Sequence, residues 1–108
     1  MGDRVFFGFD RYDLSNEAQA TLRAQAEWLR EFPAVNVTIE GHADERGTRE
    51  YNIALGARRA SIVVNYLVSR GVNQQRITSQ SFGKERPVAI CNDISCWSQN
   101  RRAVTVVQ

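Results

Sequence analysis

The rhythm of apolar and polar positions divides the chain into six elements. Arg4 to Phe9 (RVFFGF) is aromatic and β-branched and runs into the polar set Asp10-Arg11-Tyr12-Asp13, which predicts a buried strand followed by a loop. Ser15 or Asn16 then supplies an N-cap, with Glu17 in the first turn, where the helix dipole favours an acidic side chain. Ala18, Leu22, Ala26 and Leu29 recur at helical spacing while Arg23, Glu27 and Arg30 fill the opposite face. The pattern predicts an amphipathic helix that stops near Phe32-Pro33. Val35 to Glu40 (VNVTIE) alternates with period two, as a strand with one buried face does.

A polar loop, Glu45 to Arg49, leads into a second helix that begins at Thr48 or Arg49 and runs to about Arg70, with Gly71 as its stop. Ala60, Val63, Val64 and Leu67 form its core stripe, and Asn52, Leu55, Arg59, Ile62 and Tyr66 an adjacent row with steps of three and four. Ile77 to Phe82 predicts a third strand, Gly83 to Pro87 a turn, and Arg102 to Val107 a fourth strand; Ala89 to Asn100 reads only as loop or short helix. The expected fold is α+β in the order β-α-β-α-β-β, two long helices packed on a mixed four-stranded sheet, with a right-handed crossover for any parallel pair.

At 108 residues the chain fits a single domain spanning 1–108, and residues 1–4 read as the remnant of a tether. A secretory signal, if the natural protein has one, is expected to have been removed, because Met1-Gly2-Asp3 has neither a basic nor an apolar region. No apolar run approaches the roughly 18 residues of a spanning helix. Fourteen basic against twelve acidic residues give a net charge of +2, too balanced to indicate nucleic acid as a partner. All but one of the basic residues are Arg, which favours forked contacts to carboxylates or phosphates. Cys91 and Cys96 have the spacing to close a short surface loop by a disulfide in an oxidising compartment, although free thiols remain an alternative. A zinc site needs two further ligands, and the chain offers one imidazole, His42, in a distant segment, so no metal site is expected.

The chemistry concentrates in Gly41-His42-Ala43-Asp44-Glu45-Arg46-Gly47, where a strand ends and a loop leads to a helix. Asp44 offers an acceptor there, and Arg59 on the following helix a donor fork. The two match a ligand carrying both an ammonium and a carboxylate, the head of an α-amino acid. From spacing alone, a structural ion pair between Asp44 and Arg59 is the favoured reading, His42 reads as a strand-end residue with a satisfied ring nitrogen, and Arg58, Arg101 and Arg102 read as solvated charges. With no nucleophile beside a base, no phosphate loop and no metal cluster, the sequence favours a binding module over an enzyme and needs no cofactor.

Three blocks, FGFDRYDL (Phe7 to Leu14), EGHADERGTREYNIALGARRA (Glu40 to Ala60) and NRRAV (Asn100 to Val104), resemble the OmpA-like family of C-terminal peptidoglycan-binding domains. The resemblance covers about Val5 to Val107, and the wording of the middle block is most similar to its peptidoglycan-associated lipoprotein branch. It implies non-covalent binding of the diaminopimelate residue of the peptidoglycan stem peptide. Asp44 would take the ammonium and Arg59 the carboxylate; Asp10 would line the pocket, Phe9, Ala43, Asn52 and Leu55 would shape it, and Arg101 would close one side. It further implies a lipid anchor that holds the domain on the periplasmic side of the outer membrane. The Tol-Pal system and its propeller protein TolB would be partners, and a module serving mainly TolB is the alternative function. The cysteine pair is a departure from the family's usual pattern.

Overall fold

The computed structural model describes residues 2–108; Met1, the first residue of the segment read as a tether remnant, lies outside the described residues. The elements are β1 (Arg4–Phe6), α1 (Asn16–Glu31), β2 (Val37–His42), α2 (Arg49–Ser69), β3 (Ile77–Gly83), α3 (Ile94–Asn100) and β4 (Arg102–Val107), with a single 3-10 turn at Gln74–Arg76. The sheet order is β1-β4-β2-β3. β2 and β3 pair in parallel, joined by α2, whereas β4 runs antiparallel to both of its neighbours. The sheet is therefore mixed, and its last connection carries a short third helix where the sequence left a loop or short helix undecided.

Local rules account for the ends of the elements. The Ser15 hydroxyl accepts from the Ala18 N–H at 3.0 Å and the Thr48 hydroxyl from the Tyr51 N–H at 3.1 Å, each satisfying a donor that the helix start would otherwise strand. α2 is stopped just past its cap residue Arg70 by Gly71, whose φ of +96° a side chain would resist. β1 is shorter than its apolar run because the chain turns at Gly8, where the Arg11 N–H donates to the Gly8 carbonyl at 3.1 Å. Phe7 remains buried beyond the strand's end.

Both long helices bury their apolar stripes in one cluster. Ala18, Leu22, Ala26 and Leu29 of α1 and Ala60, Val63 and Leu67 of α2 meet Val5, Val37, Ile39 and Ala103 of the sheet. Among the described residues, no helix is long and apolar enough to cross a membrane.

One contact sets where α2 sits. A β-carbon on Gly41 would overlap the carbonyl group of Gly56, and one on Gly56 would strike the Ser81 hydroxyl and the Gly41 carbonyl. The two glycines let the helix backbone touch the end of β2 directly. Asp44 follows Gly41 by three residues and Arg59 follows Gly56 by three, so this contact brings the two charged positions to one place.

Candidate functional site

At the end of β2, the loops after β1 and β2 and the first half of α2 enclose a pocket of about 220 Å³ lined by Phe9, Asp10, Asp44, Arg46, Gly47, Tyr51, Asn52, Leu55 and Arg59. Six of the eight residues that sequence reasoning assigned to ligand binding, Phe9, Asp10, Asp44, Asn52, Leu55 and Arg59, meet there. Ala43 does not: its N–H donates to the Gly83 carbonyl at 2.8 Å, and the residue lines a separate small hollow with Lys84 and Pro87. Arg101 lies behind the lining. Its Nε donates to the Phe7 carbonyl at 2.9 Å, and its Nη1 approaches Asp44 Oδ2 at 3.5 Å.

Arg59 is fully buried. It donates through Nε to the Arg11 carbonyl at 2.9 Å, through Nη1 to the His42 carbonyl at 2.8 Å and through Nη2 to the Gly8 carbonyl at 3.1 Å. Of five guanidinium N–H groups, two remain, one on each terminal nitrogen. The guanidinium also sits over the Phe7 ring at 5.2 Å. Burial draws its pKa down to about 10, opposed by the charge of Asp44 and assisted by that of Arg101, and it stays cationic at neutral pH.

Asp44 is 5% exposed and does not pair with Arg59, which removes the structural ion pair as a reading. Its partner is Arg46, which grips both carboxylate oxygens, Nη2 to Oδ2 at 2.7 Å and Nε to Oδ1 at 3.2 Å, while the Arg46 backbone N–H donates to Oδ1 at 3.0 Å. Burial raises the Asp44 pKa. The Arg46 hydrogen bonds and the charges of Arg46 and Arg101 outweigh it, so the carboxyl lies below the ordinary 3.8 and is ionised at neutral pH.

The rest of the lining shapes and spans the cleft. Asp10 adopts φ +56°, a left-handed conformation that Asp tolerates better than most residues, and its carboxylate accepts from the Tyr51 hydroxyl across the pocket. Asn52 is buried and donates to the Arg46 carbonyl at 2.8 Å, tying the loop to α2. Phe9 is 59% exposed, an uncommon position for a phenylalanine, and carries the Arg46 guanidinium 3.9 Å above its ring.

One expectation needs correction, and His42 stands at the strand end as expected, with one ring nitrogen partnered. Arg101 and Arg102 are not solvated charges: Arg102 is buried and donates to the carbonyls of Asn100 and Arg86, at 3.2 and 3.0 Å. His42 contributes its backbone carbonyl to the site while its ring stacks on Phe82; Nε2 lies 3.4 Å from Glu40 and Nδ1 has no partner. Arg46, Gly47 and Tyr51 were missed as lining residues. Tyr51 precedes Leu55 and Arg59 by one and two steps of four along α2, a signal present in the sequence. Arg46 lies in the stretch the sequence singled out, but its place in the lining was not legible there, because the two rings that stack on it, Phe9 and Trp97, come from the far ends of the chain.

A small α+β domain that holds a carboxylate and a buried guanidinium in one preformed pocket is, by fold and by site, a ligand-binding module. The chain belongs to the OmpA family, whose model matches residues 6–102. It is 64% identical over 107 residues to the peptidoglycan-associated lipoprotein of Rhizobium meliloti (strain 1021), covering 99% of the chain and 61% of that protein. It is 48% identical over 100 residues to the one of Haemophilus influenzae, covering 93% of the chain and 65% of that protein. The chain thus spans less than two thirds of these relatives. The crystal structure of the peptidoglycan-associated lipoprotein from Burkholderia pseudomallei superposes with a TM-score of 0.97 at 43% identity, covering 99% of this chain and 91% of that one. The C-terminal domain of Helicobacter pylori MotB shares the fold, with a TM-score of 0.91 at 20% identity, over 100% of this chain and 85% of that one.

Proposed function

We propose that this chain acts as a single domain that binds peptidoglycan without covalent chemistry, by gripping the free amino-acid end of diaminopimelate in the stem peptide. Asp44 receives the ammonium and the two unused N–H groups of Arg59 receive the carboxylate. One observation carries the reading: an ionised acceptor and an incompletely satisfied buried donor share a pocket sized for the head of an amino acid. The names of its relatives, proteins associated with peptidoglycan, support the same substrate. The Asp44 carboxylate has about four acceptor positions. Three short bonds and the 3.5 Å Arg101 contact already use them, so the incoming ammonium displaces an Arg46 side-chain donor or that long contact.

The reading extends to the whole protein. The relatives are named lipoproteins, which supports a lipid anchor holding the domain on the periplasmic side of the outer membrane. There the domain ties membrane to wall within the Tol-Pal system, with TolB as a partner; the resemblance of the Glu40 to Ala60 block to that branch supports this assignment. A module that mainly serves TolB is the second reading, favoured by the exposed apolar side chains Val88, Ile90 and Ile94.

Titration calorimetry with stem-peptide fragments ending in meso-diaminopimelate or in lysine tests the site, because lysine lacks the second carboxylate. Binding of the first and loss of at least about tenfold with the second is expected from a charged hydrogen bond. Equal affinity overturns the role of Arg59. Capture by protein-free wall sacculi supports wall binding over the TolB-centred reading, and failure of capture reverses that order.

A further inference from the structure

The loop that carries Asp44 is also held from the opposite side, by α3. Trp97 of that helix lays its ring 4.1 Å from the Arg46 guanidinium, on which Phe9 closes at 3.9 Å, and its indole N–H donates to Glu45 Oε1 at 2.8 Å. One side chain thus contacts both residues that follow Asp44, yet Trp97 does not line the pocket. Lys84 adds a bond to the Gly47 carbonyl at 2.6 Å and Asn52 the one to Arg46.

A helix as short as α3 does not persist by itself. Asp93 caps it through the Ser95 N–H at 2.8 Å, Asn100 binds the backbone of Val88 and Ala89, and a disulfide joins Cys96, the residue before Trp97, to Cys91 in the preceding loop. A dithiol reductant opens the disulfide by exchange, supplying two electrons and two protons, leaving Cys91 and Cys96 as thiols and itself becoming a disulfide; this releases the start of the helix and leaves Trp97 with less to hold it against the loop.

We propose that Trp97 is a positioning residue for the binding pocket, and that the Cys91–Cys96 disulfide fixes it there, so that the redox state of the disulfide is read as affinity at Asp44. The affinity half of this inference rests on the pocket reading above. Trp97 orders the Asp44 to Gly47 loop in advance; without it, the loop is ordered at the expense of binding.

Two measurements on the folded protein test it. Without ligand, exchange of the Arg46 amide, which is bonded to Asp44 Oδ1, should accelerate about tenfold in Trp97→Ala and after reduction of the disulfide, while the amides of β2 and of the middle of α2 stay protected. With the meso-diaminopimelate fragment, Kd should rise about five- to tenfold in Trp97→Ala, in the reduced protein and in the Cys91→Ser/Cys96→Ser variant. Trp97→Phe, which keeps the stacked ring and loses the N–H, should recover most of that loss. Unchanged loop exchange, or wild-type binding with a Kd that neither reduction nor Trp97→Ala moves, overturns the positioning role. Failure of the oxidised wild type to bind the fragment overturns the pocket reading instead, and the exchange measurement then still decides whether Trp97 orders the loop.

Discussion

Asp44 and Arg59 differ in how far each is committed to the fold. Arg59 bridges two carbonyls of the loop after β1 and that of His42 at the end of β2, so Arg59→Ala strips partners from buried and part-buried acceptors and endangers folding before it reports on ligand. Arg59→Lys keeps the charge and loses the fork; it should bind the diaminopimelate fragment at least about tenfold more weakly, with circular dichroism checking that the fold survives. Asp44→Asn removes the charge with little change of shape and should cost about 1.5 to 3 kcal/mol of binding, measurable by calorimetry. Since the Asp44 carboxyl lies below 3.8, its ionised form persists on acidification; affinity should hold from neutral pH to about pH 4 and fall only as pH drops through the lowered value. His42 is proton-linked in the same direction, through stability rather than affinity and over a higher pH window. Burial first, then the Arg102 charge, hold its pKa at about 4, against 6.5 in the unfolded chain, with Glu40 partly opposing. Between those values the unfolded state binds the extra proton, so stability is full above about pH 6.5 and declines toward pH 4, by up to about 3 kcal/mol. Urea unfolding at pH 7 and about pH 4.5 measures the decline, and His42→Leu should flatten it.

At the scale of elements, the decisive contact is between the end of β2 and α2. Gly56→Ala places a methyl against Ser81 and the Gly41 carbonyl, which forces the helix off the sheet where Asp44 and Arg59 converge. It should lower stability by about 1 to 3 kcal/mol and weaken ligand binding beyond that, as thermal unfolding and calorimetry together would show. Much of this level was legible in the sequence. Leu22, Ala26 and Leu29 announced α1 by spacing, Ser15 and Thr48 announced helix starts, and the Asn52-Leu55-Arg59 row placed three lining residues on one face of α2. The short α3 was not legible, since neither propensity nor periodicity forms it. Its disulfide, its Asp93 cap and the Asn100 bonds to Val88 and Ala89 do. The Arg46 clamp was hidden for the same reason: Phe9 and Trp97 are 88 residues apart in the chain and meet only through the fold.

For the whole molecule, the mixed sheet with β4 at its interior brings the last strand between the first two, so the loop after β1, the loop after β2 and the segment before β4 gather at one end. That end holds the pocket, Arg101 behind it and α3 beside it. On the proposed reading, many anchored copies of the domain would hold a wall of identical stem peptides through effective concentration while each contact releases and rebinds. A crystal structure of the domain with a meso-diaminopimelate stem peptide should show the ammonium within hydrogen-bond reach of the Asp44 carboxylate and the carboxylate on the two free N–H groups of Arg59. Density for that end outside the pocket, or in it with neither side chain in contact, would contradict the account.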